Sequence, residues 1–254
     1  MASQGSTLKA RLQSIRHLSD AVIVCQDRAY AVHKAIVCLQ SPVLNEALQG
    51  DNQKKDTAVV TVDLDLDTCE RLIEFMYTSD YSTSYVPALE ETLGCEIPGQ
   101  EPPTQSEPEL EEEETDGATT TAVDSVDMSA TLQRLICHSR MNSAADHYKI
   151  PKLMKLSISK CAAELVRAWS AVDFCALLQE AKGSTGDKEF YKMLAKQASV
   201  HIIELQELRL LEKDGLIDDI AVYLLQSLLA RATVGKENYA KILKIFASSS
   251  YHYQ

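Results

Sequence analysis

The chain has 254 residues, and its 45% hydrophobic and 24% charged content is that of a globular protein with a core. It contains no apolar run of about eighteen residues, and residues 1–16 lack the apolar centre of a signal peptide, so the sequence predicts an intracellular protein of the cytoplasm or nucleus, with no membrane partner and no secretion. The net charge of −12 is local, because fifteen acidic residues and no Lys or Arg lie between Arg71 and Arg134, which leaves the rest of the chain at +3. Without a clustered basic face, we expect no nucleic-acid partner.

The N-terminal tail, residues 1–17, has Leu8, Leu12 and Ile15 at helical spacing, which indicates a possible short amphipathic helix. Such a helix is marginal when isolated. Two interpretations stay open: it docks on a partner subunit, or it is a frayed terminus.

Residues 18–81 combine strand and helix patterns. Ala21–Cys25 is a β-branched run, Asp27–Arg28 is a turn pair, and alternation over Tyr30–Lys34 completes a predicted hairpin. A third strand is predicted at Val59–Val62. These patterns predict a small three-stranded sheet.

Helical spacing fills the gaps between the strands. Ala35–Leu39 is followed by a break at Ser41-Pro42, and Val43–Leu48 restarts the helix. Asp67–Glu70 is a candidate capping box that leads into Leu72–Met76, spaced for one helix face. The order strand, strand, helix, helix, strand, helix predicts an α+β unit with its sheet covered by helices.

Four separated motifs resemble the BTB/POZ domain, and most closely the BTB-only proteins common in filamentous fungi. In chain order they are Ser19-Asp20, Ala31-Val32-His33-Lys34, Ser41-Pro42 and Glu74-Phe75-Met76-Tyr77-Thr78-Ser79-Asp80-Tyr81. The resemblance implies a BTB/POZ fold followed by an all-helical C-terminal extension. It also implies a non-catalytic protein-protein interaction module that dimerises.

The resemblance further implies a charged pocket near the dimer interface, formed by Asp20, His33 and Lys34. A second interpretation comes from the residues alone. In it Asp20 caps a turn, His33 is a satisfied, partly buried histidine, and Lys34 is solvated.

Residues 82–128 form an acidic insert rich in Pro and Glu. It holds five of the seven prolines and the like-charge block Glu111–Glu114, so we expect disorder, apart from a small ordered patch over Leu89–Ile97. One interpretation is a regulated acidic tail with Ser106 as a possible phosphosite. The other is a tolerated spacer.

Helical patterns resume at Ser129 and continue to the C-terminal region. One helix is predicted to stop at Ile150-Pro151, where Pro151 opens the next, and another is predicted from the cap Asp187 through Ile203. The string Ala145–Leu153 resembles the entry of BTB domains into their last helices. The predicted segments after the insert are a BTB-completing helical hairpin over residues 129–167, a helical extension over 168–246 and a frayed tail over 247–254.

Motifs for catalysis or cofactor binding do not stand out. The sequence has no Gly-rich phosphate loop, no nucleophile elbow, and no metal-spaced group around Cys137-His138 and His147. The seven cysteines lack a C-x-x-C pair, and their positions favour reduced, buried thiols. The sequence thus predicts no cofactor, no metal and no enzymatic activity.

Protein partners are therefore expected, including a second copy of the chain in a homodimer. The alternative function is a substrate-recruiting adaptor of a cullin-type ubiquitin ligase; a transcriptional co-regulator is a weaker alternative, since the sequence contains no DNA-reading motif. In cullin-binding BTB domains a hydrophobic residue, any residue and then Glu follow the second early helix. Asn52, Gln53 and Lys54 stand at those positions, so the resemblance favours a scaffold over an adaptor.

Overall fold

A computed structural model describes residues 15–49, 58–83, 94–95, 129–209 and 217–232. The described chain begins with a 3-10 turn at Arg16–Leu18. Within these residues a small mixed sheet with three helices follows it, and six more helices lie beyond residue 129.

The sheet begins with an antiparallel hairpin of β1 (Ala21–Cys25) and β2 (Arg28–Val32), in the register Ala21↔Val32. The exposed turn between them places Gln26 at a positive φ of 53°. β3 (Ala58–Val62) pairs with β1 in parallel, so the predicted three strands are confirmed. A two-residue strand, β4 (Gly94–Cys95), joins the free edge of β2 and gives the order β3-β1-β2-β4. It lies within the stretch predicted to contain a small ordered patch.

The first two helices are α1 (Lys34–Gln40) and α2 (Pro42–Gln49), and the predicted break between them is at Ser41. The fully buried Ser41 hydroxyl accepts a hydrogen bond from the Leu44 N–H at 3.1 Å, which caps α2. It also donates to the carbonyl of Tyr148 at 2.6 Å. One side chain therefore caps a helix and ties it to the chain 107 residues further on.

The start of α3 (Leu66–Thr78) differs from the predicted capping box. The cap is Asp65, whose side chain accepts from the Thr68 N–H at 2.9 Å. Asp67 instead pairs with Arg71 at 2.8 Å on the helix surface. Glu70 is only 8% exposed and accepts a hydrogen bond from the Tyr30 hydroxyl at 2.9 Å. The predicted box at Asp67–Glu70 is wrong because Glu70 faces the sheet and cannot fold back on its own helix terminus.

The first buried core lies between the inner face of the sheet and helices from both halves of the chain. Ile23, Tyr30 and Val32 supply the sheet face, and Leu72 and Phe75 pack on it from α3. Beyond residue 129 the same core continues through Met141, Ala144, Ala145, Tyr148, Ile150 and Leu153. The sheet unit thus buries its apolar surface only with help from the helices that follow the insert.

The six later helices are α4 (Ala130–His147), α5 (Pro151–Arg167), α6 (Ala171–Ala181), α7 (Lys188–Val200), α8 (Ile202–Glu207) and α9 (Ala221–Ala232). The side chains of Ser129, Ser170 and Asp187 accept hydrogen bonds from the first turns of α4, α6 and α7. Pro151 occupies the first turn of α5, as predicted. The helix predicted from Asp187 through Ile203 ends at Val200, because His201 leaves the helical range at φ −106° and ψ 20°.

A second core fills the space between these helices. Phe174, Phe190 and Leu194 lie at its centre, with Leu224 added from α9. Leu135 and Leu165 join this core from α4 and α5, so that hairpin contributes to both cores. A helical region therefore follows the α+β unit, as the sequence predicts. Among the described helices, none combines the length and apolarity needed to cross a bilayer.

Candidate protein-interaction site

The structure brings Asp20, His33 and Lys34 together where β1 begins and α1 starts. The Asp20 carboxylate accepts a hydrogen bond of 2.7 Å from the backbone N–H of Lys34, the first residue of α1. His33 occupies the N-cap position but makes no side-chain cap bond, so Asp20, the residue before β1, performs that role. A negative group at a helix N-terminus is stabilising.

His33 is held from both ring nitrogens. Its Nδ1 lies 2.7 Å from the Tyr77 hydroxyl, and its Nε2 lies 3.0 Å from the carbonyl of Ile15. The backbone N–H of His33 also donates to the Tyr77 hydroxyl at 3.1 Å. A neutral ring with its hydrogen on Nε2 satisfies these contacts, with the Tyr77 hydroxyl donating to Nδ1. His33 thereby links Tyr77 of α3 to Ile15, directly before the turn at Arg16–Leu18.

The electrostatics of this cluster differ from those of a buried ion pair. Asp20 is exposed and Lys34 is half-buried, and no carboxylate among residues 15–49, 58–83, 129–209 and 217–232 forms an ion pair with the Lys34 ammonium. Burial raises the pKa of Tyr77 to about 12, so its hydroxyl stays protonated and can donate. The sequence did not indicate that Tyr77 and Ile15 are partners of His33. Tyr77 belongs to one of the four motifs that resemble the BTB/POZ domain, but that motif does not predict the contact.

Apolar side chains stand exposed beside this cluster. Leu39 on α1 is 87% exposed, and Ala35, one turn earlier on the same face, is exposed as well. Leu18, two residues before Asp20, is 61% exposed. We call Leu18, Ala35 and Leu39 the α1 surface. Exposed leucines of this kind around a polar anchor are typical of a surface that another protein covers.

The other predicted site residues lie outside the described residues. Asn52, Gln53 and Lys54 belong to the link between α2, which ends at Gln49, and β3, which starts at Ala58. Ser106 belongs to the insert.

A recess of about 640 Å³ separates the loop after β3 from α4 and the α6–α7 loop. Several of the charged side chains that line the recess form ion pairs with one another. Arg140 lies 2.7 Å from Glu180, and Lys149 lies 3.0 Å from Asp146. The recess therefore offers few free charges to a ligand.

A buried pair of aromatic rings joins the end of the sheet unit to α4. The Tyr81 hydroxyl lies 2.8 Å from Nδ1 of His138, and the Lys160 ammonium donates to the Tyr81 carbonyl at 2.6 Å. Burial lowers the pKa of His138 to about 4, so the ring is neutral at physiological pH. Among the described residues, no group of three or more His, Cys, Asp and Glu is placed to hold a metal ion.

Fold and surface together define a protein-protein interaction module built on a small mixed sheet. Comparison with known families agrees, since the model of the BTB/POZ domain matches residues 9–93. The match spans β1 to β3 and α1 to α3 and ends just before β4. The chain therefore contains a BTB/POZ domain, followed by a helical region. No curated protein matches the chain.

Proposed function

We propose that this protein is a non-catalytic scaffold that pairs with a second copy of itself through the α1 surface and binds other proteins. The observation that carries the proposal is the 87% exposure of Leu39 within the BTB/POZ domain. α1 contains one charged residue, Lys34, so two copies of this helix can approach with little charge repulsion. Closed two-fold pairing is the commonest arrangement of soluble homo-oligomers.

The α1 surface is suited to pairing because internal hydrogen bonds hold the backbone beside it. Asp20 fixes the start of α1, and the contacts of His33 with Tyr77 and Ile15 hold the N-terminal turn beside it. Leu18 and Leu39 therefore extend from backbone that is already ordered. Preorganisation of this kind lowers the entropic cost of association.

The size of the effect follows from the two-fold symmetry. Burying one leucine side chain is worth about 2 kcal/mol, and a symmetric dimer buries Leu39 twice. Replacing it with glutamate removes about 4 kcal/mol of association free energy, which weakens the dimer roughly a thousandfold.

Light scattering and sedimentation over a concentration series test the proposal with the full chain. The wild type should have the mass of a dimer and Leu39→Glu the mass of a monomer. Val166→Glu is the matched control, since Val166 is 76% exposed on α5, outside the domain match. A wild type that stays monomeric, or a Leu39→Glu variant that stays dimeric at the lowest concentration, would contradict the proposal.

We favour a scaffold over a cullin-type ligase adaptor because Asn52 and Lys54 stand where the resemblance calls for a hydrophobic residue and Glu. A base in place of an acid at a desolvated contact opposes binding. The purified protein and the double variant Asn52→Met, Lys54→Glu should be compared for binding to a cullin N-terminal region. Binding gained only by the variant supports the scaffold, and tight binding by the wild type supports the adaptor.

A further inference from the structure

The recess between the loop after β3, α4 and the α6–α7 loop carries an excess of negative charge. Four carboxylates and two cations line it: Asp63, Asp65, Asp146, Glu180, Arg140 and Lys149. With His147 counted as neutral, four negative and two positive charges leave a net charge of −2. Both cations already lie against carboxylates, because Arg140 is 2.7 Å from Glu180 and Lys149 is 3.0 Å from Asp146. A ligand that enters the recess therefore meets uncompensated carboxylate charge.

Asp63 carries the carboxylate that lacks a cationic partner. It is exposed and directly follows β3, which ends at Val62. Within the part of the chain that the structure describes, no Lys or Arg forms an ion pair with Asp63. Asp65, by contrast, caps α3 through the Thr68 N–H and lies 3.9 Å from Arg140. Asp63 is thus able to pair with a cation from another molecule.

A buried hydroxyl in the wall of the recess also lacks a partner. Ser139 lies on α4, is only 1% exposed, and contributes to the lining. Its Oγ is one of two buried side-chain polar atoms, among the described residues, that make no hydrogen bond. Buried polar groups are satisfied in most proteins, so an unsatisfied hydroxyl beside an open recess indicates a place where a ligand supplies the partner. A serine hydroxyl can accept a hydrogen bond from a cationic donor.

The lining discriminates between classes of ligand. A bare metal ion fits poorly, because no group of three or more His, Cys, Asp and Glu among the described residues is placed to hold one. A phosphate or carboxylate would meet net negative charge. The volume of about 640 Å³ lies within the range of about 300 to 1,000 Å³ that is typical of sites for organic ligands. The guanidinium group of arginine, with five N–H donors in a planar fork, can bind a carboxylate and a hydroxyl at once.

We propose that the recess binds an arginine side chain presented by an exposed segment of a partner protein. The guanidinium group pairs with the Asp63 carboxylate and donates a hydrogen bond to the Ser139 hydroxyl, and neighbouring residues of the partner occupy the rest of the recess. This inference names one kind of partner for the proposed scaffold. It does not depend on pairing between copies, since Leu18, Ala35 and Leu39 of the α1 surface do not line the recess.

Fluorescence anisotropy with the full chain and a labelled heptapeptide, Gly-Ser-Arg-Gly-Arg-Ser-Gly, tests the proposal. In the control peptide both arginines are replaced by citrulline, which keeps their shape but removes their charge. The arginine peptide should bind saturably and about tenfold more tightly than the citrulline peptide. Because the acidic insert can also attract a cationic peptide, variants of the recess decide where the peptide binds.

Asp63→Asn should weaken binding of the arginine peptide about three- to fivefold. Glu46→Gln is the matched control, because it removes an exposed carboxylate of α2 that lies outside the recess and changes the net charge by the same amount. Its affinity should equal that of the wild type. Ser139→Ala should weaken binding several-fold without lowering the melting temperature, since the substitution removes no hydrogen bond within the described residues. Leu39→Glu should bind the peptide as the wild type does.

Hydrogen exchange of the wild type supplies a measurement that needs no variant. The arginine peptide should slow exchange in residues 63–65 and in the α4 residues 139–147, and protection confined to other segments would overturn the proposal. Equal affinity of Asp63→Asn and the wild type, equal losses in Asp63→Asn and Glu46→Gln, wild-type affinity in Ser139→Ala, or equal binding of the citrulline peptide would each overturn it as well. Loss of binding in Leu39→Glu would place the peptide on the α1 surface and likewise refute it. A Leu39→Glu monomer that still binds separates this proposal from the pairing of two copies.

Discussion

Replacement of Ser41 with alanine should destabilise the protein more than loss of an ordinary helix cap. The Ser41 hydroxyl is fully buried and makes two hydrogen bonds, one from the Leu44 N–H and one to the Tyr148 carbonyl. Alanine fills most of the same volume but leaves both backbone groups without this partner. Water cannot replace the hydroxyl without opening the core.

The magnitude follows from these two contacts. Loss of an N-cap costs about 1 kcal/mol, and a buried carbonyl left without its donor costs about 1 to 3 kcal/mol. We expect Ser41→Ala to lower the free energy of unfolding by about 2 to 4 kcal/mol. Ser170→Ala is the matched control, because Ser170 caps α6 through the Asp173 N–H but is only half-buried. That variant should cost about 1 kcal/mol.

Urea unfolding followed by circular dichroism measures both variants under one set of conditions. Hydrogen exchange adds a local measurement. Ser41→Ala should speed exchange in α2 and at the corner between α4 and α5, whereas Ser170→Ala should speed it only at the start of α6. Equal losses of unfolding free energy in the two variants would refute the argument that Ser41 joins the two halves of the fold.

Three further outcomes follow from the structure, and each can be checked by thermal or urea unfolding. Asp20→Ala should lower the free energy of unfolding by about 1 kcal/mol because it removes the cap of α1. Asp20→Asn, which keeps an acceptor, and Lys34→Ala should each lower it by only about a few tenths of a kcal/mol. Equal losses in all three variants would indicate that Asp20 and Lys34 form a charged pair instead. Tyr77→Phe should cost about 1 to 2 kcal/mol, because it removes the hydroxyl that meets the ring and the backbone N–H of His33, and a wild-type melting temperature would contradict this. The pKa of His138 is about 4 in the folded chain against 6.5 ordinarily, so the unfolded chain binds more protons between these values. The free energy of unfolding should be at its full value above pH 6.5 and should fall by up to about 3 kcal/mol on acidification to pH 4. In His138→Gln the free energy of unfolding should change less between these two pH values.

Much of the fold could be predicted because its signals are local. The strand pattern at Ala21–Cys25, the break at Ser41-Pro42 and the start of a helix at Pro151 depend on neighbouring residues alone. The cap of α3 could not be predicted with the same certainty, since Asp65 and Asp67 both precede a helical pattern. Tertiary contact decides between them, because Glu70 turns toward Tyr30. β4 was missed as a strand because it has two residues and exists only through pairing with β2.

The sequence predicted which residues come together at the candidate site but did not predict all of the contacts that they make. Resemblance grouped Asp20, His33 and Lys34, and the structure brings them together. The contact of Asp20 with the backbone of Lys34 matches the capping interpretation drawn from residue chemistry. Tyr77 lies 44 residues from His33 along the chain, and no local pattern encodes that contact. The role of the three residues in dimerisation stays a prediction.

The shared core also sets an order of events during synthesis. β1, β2, β3 and α3 have all been synthesised once Thr78 is added. Residues Met141 to Leu153, which complete the core beneath them, are synthesised much later. The 75 residues from Thr78 to Leu153 take roughly 4 to 15 s at about 5 to 20 residues per second. Throughout that time the sheet unit carries apolar surface that its own residues cannot cover. A chain whose synthesis ends within the acidic insert therefore exposes this apolar surface and is prone to aggregation. We expect chaperones to bind the nascent chain at this stage.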